Sequence, residues 1–372
     1  MEYIHTESRL DQLARELAGT DILAADTEAA GFHRYCDRVC LLQVSTGDGT
    51  FIVDTLALND LEPLRAVFAD RNIEVVFHDA VYDLRLLDRD HGIIVQGLFD
   101  TCIAAQFLGE PGIGLGSLLE KYLGVEVEKK YQRADWAQRP LPLELLNYAA
   151  QDTRHLPQLR NRLRDQLEQK GRLSWAQEEF RLRETTRWVD DDTDEGYRRI
   201  KGARQLLPRQ LAALREVHSW REKIACDRDV APFRVLSNGT LLELARSMPE
   251  DLDQLGQLKG MPRSLLRDRG HEILRLLERV TDLPELDLPH RRRGPRPPPP
   301  EPDFEPRLER LKAARDRAAT ELGLDRGFLM PRAQLEDVAR NKPATLEAMA
   351  EIPGLRNWQV EALGEALLEA AA

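Results

Sequence analysis

The chain has 372 residues, 42% of them hydrophobic and 31% charged, too apolar for a disordered polymer and too polar for a membrane-embedded one. The length predicts two or three domains, each able to bury its own core. No run approaches the roughly 18 apolar residues that cross a bilayer, and the opening residues lack a basic leader with an apolar segment, so a cytoplasmic protein with no membrane partner is expected.

Four cysteines, Cys36, Cys40, Cys102 and Cys226, form no Cys-x-x-Cys pair and read as reduced thiols rather than a four-sulfur zinc site. The net charge of −11 argues against a polyanion-binding surface until it is divided along the chain. Residues 201–300 carry 19 Lys+Arg against 14 Asp+Glu, residues 301–372 carry 10 against 14, and residues 1–200 carry 24 against 36. A basic middle between acidic ends permits phosphate binding but does not by itself distinguish it from ordinary solvated charge.

From Asp21 to about Leu167 short β-rich runs alternate with helical patterns, predicting an α/β domain. Expected strands are Ile22 to Asp26, Val39 to Ser45, Thr50 to Asp54 and Val75 to His78, with an antiparallel meander among the first three. Expected helices are Glu62 to Ala69, Tyr82 to Asp90, Asp100 to Leu108, Leu115 to Leu123, and Leu143 to Leu167 with a break at Pro157. Asp190-Asp191-Asp192 marks a solvated boundary.

Beyond it the chain repeats itself at one offset, 94 residues, without a gap. Leu214 meets Leu308, Arg221 meets Arg315, Ala245-Arg246 meets Ala339-Arg340, Pro249 meets Pro343, Gly260 meets Gly354 and Gly270 meets Gly364. Two small helical domains are expected. Between them Arg291-Arg292-Arg293 and Pro297 through Pro300 predict an extended, semi-rigid spacer. The division is therefore 1–188, 204–282, a 283–303 linker, and 304–372, with the two copies separately folded.

The chemistry-bearing residues lie in the first region. Asp26 and Glu28 end an apolar strand on one face, because side chains alternate with a period of two. Asp83 opens a helix, and Tyr148 and Asp152 stack one turn apart on another. If the four carboxylates converge within about 5 Å, each like-charged pair costs on the order of 1 kcal/mol in water and about 4 kcal/mol at an effective dielectric of 20. Such a site either protonates or binds cations. Hard oxygen ligands favour two Mg²⁺ or Mn²⁺ ions, a pair suited to in-line phosphodiester hydrolysis.

Asp26-x-Glu28, Asp83 and Tyr148-x-x-x-Asp152 resemble the signature of the DEDD exonuclease superfamily, tyrosine branch, on a ribonuclease H-like α/β fold. Phe99-Asp100-Thr101, Gly114-Leu115 to Leu123-Gly124, Gln132-Arg133-Ala134-Asp135-Trp136 and Arg139-Pro140-Leu141 resemble the ribonuclease D family in order and spacing. The two helical copies resemble HRDC domains. The resemblance implies a metal-dependent 3′–5′ exoribonuclease that trims 3′ extensions from tRNA precursors and other structured RNAs, releasing 5′-mononucleotides, as a monomer. It also implies that Asp26 bridges two ions, Glu28 and Asp152 hold the nucleophile-side ion, and Asp83 acts on the leaving-group side. Tyr148, with an ordinary pKa near 10, reads as a positioner of the attacking water rather than a free base.

Other residues are weighed against plainer roles. Asp79, Asp88, Asp90 and Asp100 read as capping or solvated acids, and His78 as a strand-end residue. Gln132, Arg133, Asp135 and Trp136 are candidates for shaping the substrate channel or ordering a loop, and Phe32 and Tyr82 for base contact or core packing. The basic first copy is expected to face RNA through Lys201, Arg204, Lys223, Arg234, Lys259 and Arg263, with the second a spacer, clamp or partner surface. A DNA 3′–5′ exonuclease and a non-catalytic RNA-binding scaffold are the alternatives.

Overall fold

A computed structural model describes residues 1–127, 130–190, 193–289 and 301–371. Among them a six-stranded sheet runs in the order β1-β4-β3-β2-β5-β6. The strands are β1 (Glu2–Ile4), β2 (Ile22–Ala29), β3 (Val39–Ser45), β4 (Thr50–Asp54), β5 (Glu74–Phe77) and β6 (Leu98–Asp100). β3 and β4 pair antiparallel, as expected, while β1 runs parallel to β4, and β5 runs parallel to both β2 and β6. The expected region begins at Asp21; the structure adds β1 and α1 (Glu7–Leu17) before it and β6 within it. Three residues are too few for alternation to declare a strand.

Seven more helices complete this domain: α2 (Glu62–Ala69), α3 (Val81–His91), α4 (Thr101–Leu108), α5 (Leu115–Leu123), α6 (Leu143–Arg154), α7 (Leu156–Gln169) and α8 (Leu173–Arg183). The predicted break falls at His155, with Pro157 in the first turn of α7, where its missing N–H leaves nothing unpaired. The sheet is covered on both faces. Leu23, Ala25, Val75 and Phe77 pack with α1, α2 and α3, whereas Ala24, Val76 and Phe99 pack with α4, α5, α7 and α8.

The first helical copy contains α9 (Pro208–Asp227), α10 (Pro232–Val235), α11 (Asn238–Ser247), α12 (Leu252–Gln257) and α13 (Arg263–Thr281). The second contains α14 (Phe304–Leu322), α15 (Arg326–Leu329), α16 (Arg332–Asn341), α17 (Leu346–Ala350) and α18 (Asn357–Ala371). The 94-residue offset is reproduced in a tie that each copy makes from helix to turn. Arg221 donates to the Leu236 carbonyl at 3.2 Å and Arg315 to the Met330 carbonyl at 3.0 Å. Met248 and Lys342 both end a helix in the left-handed region, at φ 46° and 48°.

The chain forms two compact units, and the copies fall in different ones. One unit holds Met1–Glu28, Val39–Trp188 and the C-terminal helices; the other holds Ala29–Arg38 and the first copy. The second copy, expected to be separately folded, instead shares a core with the α/β domain. Phe328 and Trp358 set their rings edge-on against Phe107, and Trp358 lies 6.0 Å from Trp175. The packing is sealed by polar contacts. Glu178 accepts from the backbone amides of Asn357 and Trp358 at the start of α18, and Glu179 accepts from the Trp358 indole at 2.9 Å, answering donors the helix cannot satisfy itself. Arg172 donates to the carbonyls of both Phe107 and Leu322. Gly109 must be glycine, because a Cβ there would lie 2.0 Å from the Gly323 carbonyl oxygen.

Of the expected linker, Leu288 is buried in the core of the first copy, and the Arg-Arg-Arg and proline run lies outside the described residues. Trp358 is 2% exposed. Trp358→Ala is expected to cost about 3–5 kcal/mol, and a chain ending at residue 300 to lower the melting temperature of the α/β domain further. Denaturation followed by far-ultraviolet circular dichroism checks both.

Candidate active site

Alternation along β2 assigns its acids to one face. Ala24 enters the core with α4 and α7, so Asp26 and Glu28 follow it; Ala25 enters the opposite core, so Thr27 points that way. α6 brings Tyr148 and Asp152 to the first face. The carboxylate oxygens of Asp26, Glu28 and Asp152 lie within 4.8 Å of one another. Together with Tyr148, His78 and Gln132 they line a cavity of about 360 Å³.

Asp83 arrives from the other side. Leu84 and Leu87 of its helix belong to the same core as Ala25, and Asp83 Oδ1 accepts from the Thr27 amide at 3.2 Å and its hydroxyl at 2.5 Å. That pair of bonds explains why Asp83 is not in the tight group, although its charge acts on both Asp26 and Glu28. The site is thus a triad with a fourth carboxylate held at its edge.

Burial, then repulsion from the neighbouring acids, raises the carboxyls of Asp26 and Glu28 well above their usual range. Burial raises Asp83 and Asp152 to about 6, with the Thr27 bonds partly opposing the rise at Asp83. Among the described residues no lysine or arginine lines the cavity to offset this charge. The Tyr148 hydroxyl is also raised, by burial and then by Asp152, Glu28 and Asp26, and so keeps its proton at neutral pH. A divalent cation is the partner such a donor set fits: hard oxygens, mutually repelling, converging on one point.

Several supports were not assigned in the sequence. Asp100 is 1% exposed; it accepts from the amides of Cys102 and Ile103, capping α4, and from those of Asp79 and Ala80. It thereby fixes the turn that launches α3 and delivers Asp83. Its capping role agrees with expectation, but the tie to the site does not show in local spacing. Thr153, beside Asp152, shares a 2.7 Å hydroxyl contact with Ser45 of β3, anchoring the end of α6 to the sheet. His78 is bonded to Thr101 at 2.9 Å while lining the cavity.

Trp136, a candidate for shaping the substrate channel or ordering a loop, is 2% exposed and stacks on Tyr148 with ring centres 6.1 Å apart, bracing the tyrosine. Tyr131 meets the same ring edge-on at 5.6 Å, and Arg139 holds the Trp136 carbonyl at 2.7 Å while pairing with Asp54. Asp135 accepts from the Ala137 amide, a loop-ordering role. Gln132 lines the cavity, and Arg133 is exposed on the same loop. Asp88 and Asp90 accept from the amides of Trp188 and Val39.

Phe32 and Tyr82 are exposed, not core. Lys201, Arg204, Lys223, Arg234, Lys259 and Arg263 are likewise all exposed in the second unit. Lys223 pairs with Asp227, and Arg234 bonds the Phe32 carbonyl and the His33 ring. No helix among the described residues is long and apolar enough to cross a membrane.

A carboxylate cluster on such a sheet, followed by paired helical copies, defines a 3′–5′ exonuclease carrying HRDC domains. The 3′–5′ exonuclease family pattern matches residues 1–168 and the HRDC domain pattern residues 210–277 and 304–370. Ribonuclease D of Pseudomonas paraeruginosa is 32% identical over 372 residues, covering 100% of this chain and 97% of that protein. Ribonuclease D of Escherichia coli is 34% identical over 289 residues, 77% of each. The crystal structure of the Escherichia coli enzyme, described as an exoribonuclease involved in structured RNA processing, superposes with a TM-score of 0.72 at 29% identity over 99% of this chain and 97% of that one. The chain belongs to the ribonuclease D family of 3′–5′ exoribonucleases.

The raised carboxyls make a signed prediction for metal-free protein. An acid whose pKa rises from about 3.9 to about 6 on folding favours the protonated native state. The metal-free protein therefore holds that stability below pH 4 and loses it as pH rises through 6. In EDTA, Asp152→Asn is expected to stabilise the protein relative to wild type by about 1–3 kcal/mol at pH 7 and by little at pH 4. With saturating Mg²⁺ the order at pH 7 reverses. Thermal melts of both proteins across pH give the comparison.

Proposed function

We propose that this protein removes nucleotides from the 3′ ends of structured RNAs, tRNA precursors with 3′ extensions foremost, releasing 5′-mononucleotides, and that it does so as a cytoplasmic monomer. The observation that carries the reading is the triad of Asp26, Glu28 and Asp152, whose oxygens lie within 4.8 Å of one another beside Tyr148. Asp26, Glu28 and Asp152 would hold Mg²⁺ or Mn²⁺, with Asp83 contributing from the edge. Two such ions supply charge stabilisation at the scissile phosphate and at the leaving 3′ oxygen, and acidify water.

The side chains do the rest. Tyr148 retains its proton, so its hydroxyl orients the attacking water by a hydrogen bond instead of removing a proton as a phenolate. Trp136 and Tyr131 restrict the ring to that pose, and a restricted group loses less entropy in reaching the reactive geometry. Thr27 holds Asp83 Oδ1, which keeps the fourth carboxylate from closing on the other three before cations arrive. Gln132, at the cavity wall, would contact the terminal nucleotide, with Arg133 beside it. In the second unit Lys201, Arg204, Lys223, Arg234, Lys259 and Arg263 would bind the RNA body through phosphates.

The test is digestion of a 3′-extended tRNA and of sequence-matched RNA and DNA oligonucleotides, with Mg²⁺ or EDTA, products resolved by length. A ladder shortening from the 3′ end of RNA, abolished by EDTA, is expected; endonucleolytic fragments or preference for DNA would refute the reading. Asp26→Ala is expected to abolish trimming while leaving RNA affinity within about two-fold. Tyr148→Phe is expected to lower kcat about 10²-fold or more with KM little changed, as single-turnover kinetics would resolve.

A further inference from the structure

Ala29–Arg38, the segment that directly follows Glu28, packs within the same compact unit as the first helical copy. Its fold is specific. Ala30 donates to the Arg38 carbonyl, His33 and Arg34 both donate to the Ala30 carbonyl, and Gly31 donates to Asp37 at 2.7 Å. Asp229 of the first copy accepts from the Tyr35 amide and pairs with Arg34. The result is an ordered turn that raises Phe32 towards solvent.

Phe32 is 40% exposed and Phe233, at the start of α10, is 49% exposed. Their ring centres are 5.3 Å apart at 58°. Arg234 sets its guanidinium 5.6 Å from the Phe32 ring centre, donates to the Phe32 carbonyl at 2.9 Å and contacts the His33 ring nitrogen at 3.0 Å. Among the described residues this is the one contact between two exposed aromatic rings. Leaving much of two phenyl rings in water forgoes the gain of burying them, and a fold that holds them there with the eight polar contacts above has ordered them for a partner.

We propose that Phe32 and Phe233, with the Arg234 guanidinium beside the Phe32 ring, form a stacking platform for bases of single-stranded RNA. The inference rests on the exoribonuclease reading and extends it to where the strand is gripped. Three observations favour RNA over a protein ligand. The apolar area is two rings, not a broad patch; a guanidinium adjoins it, as suits bases and phosphates together; and residues 201–300 carry the basic balance of the chain.

The experiment is binding of the full-length protein, in EDTA, to a 5′-fluorescein-labelled twelve-nucleotide oligo(A), read by anisotropy. No turnover is involved, so a failure of the nuclease reading and a failure of the platform register separately. Phe233→Ala and Phe32→Ala are expected to raise Kd about 5- to 100-fold, with Phe233→Tyr near wild type and Phe233→Leu near Phe233→Ala. A series of oligonucleotides with one abasic position walked from the 3′ end supplies the decisive arm. At the stacked position wild type loses affinity and Phe233→Ala loses no more. An unchanged Kd for Phe233→Ala, a penalty equal for every abasic ligand, or full affinity of Phe233→Leu would each overturn the proposal; the last two would mean a protein-binding or purely structural surface.

Discussion

Repulsion among carboxylates is the constraint that the α/β domain is organised to withstand. Asp26, Glu28 and Asp152 share a partly buried pocket with their oxygens within 4.8 Å, and no lysine or arginine among the described residues lines it. Left to themselves these side chains would turn into solvent. They cannot, because each is fixed at its root by an element committed elsewhere: β2 by strands on both sides, α6 by the Ser45–Thr153 contact, and α3 by the turn that Asp100 holds through the Asp79 and Ala80 amides. The repulsion is electrostatic, and proton uptake by the raised carboxyls or a bound cation would offset it. Asp83 is the informative member, since its bonds to Thr27 both lower its charge cost and keep it at arm's length.

The second helical copy belongs to that same framework. α4 and α8, which wall the far side of the core behind the sheet, bury Phe107 and Trp175 against Phe328 and Trp358. Without those rings the helices would expose a contiguous apolar face. A domain that the repeat pattern marks as an accessory is, in packing terms, part of the wall that keeps the catalytic sheet dry on one side.

Most of this was legible in the chain, for identifiable reasons. Asp-x-Glu after Ile22–Ala25 announces a strand end because a period of two needs few residues, and Tyr148 with Asp152 announces a helix face because a spacing of four can be read anywhere. The 94-residue repeat was legible because its glycines and arginines have geometric duties: Arg221 and Arg315 tie the same turn, and Gly270 and Gly364 each lie under a leucine of the preceding helix, Leu252 and Leu346. What stayed hidden was tertiary. Trp136 looks like a channel residue in a loop full of polar neighbours, and only the fold reveals that the Tyr148 ring covers it. Thr27 carried a faint signal, a hydroxyl on the apolar face of a strand. The adherence of Ala29–Arg38 to the first copy carried none, because no periodicity records a contact made across some two hundred residues.

The repeat also shows how one helical scaffold serves two ends. Subtracting the offset, Phe328 and Trp358 of the second copy correspond to Arg234 and Ser264 of the first, and Asn357 to Arg263. Phe328 and Trp358 stack on each other at 5.8 Å, so their counterparts occupy one equivalent face. In the second copy Trp358 is buried and Phe328 half-buried; in the first, Arg234, Arg263 and Ser264 are all exposed. An arginine bonds a turn carbonyl in each copy. The copies differ inside as well, with buried Ala213 and Trp220 standing where the second copy has buried Arg307 and Ala314. A helical scaffold whose core is held by such internal bonds can exchange its whole outer face, and exchanging aromatic for basic turns a buttress into a surface for a polyanion.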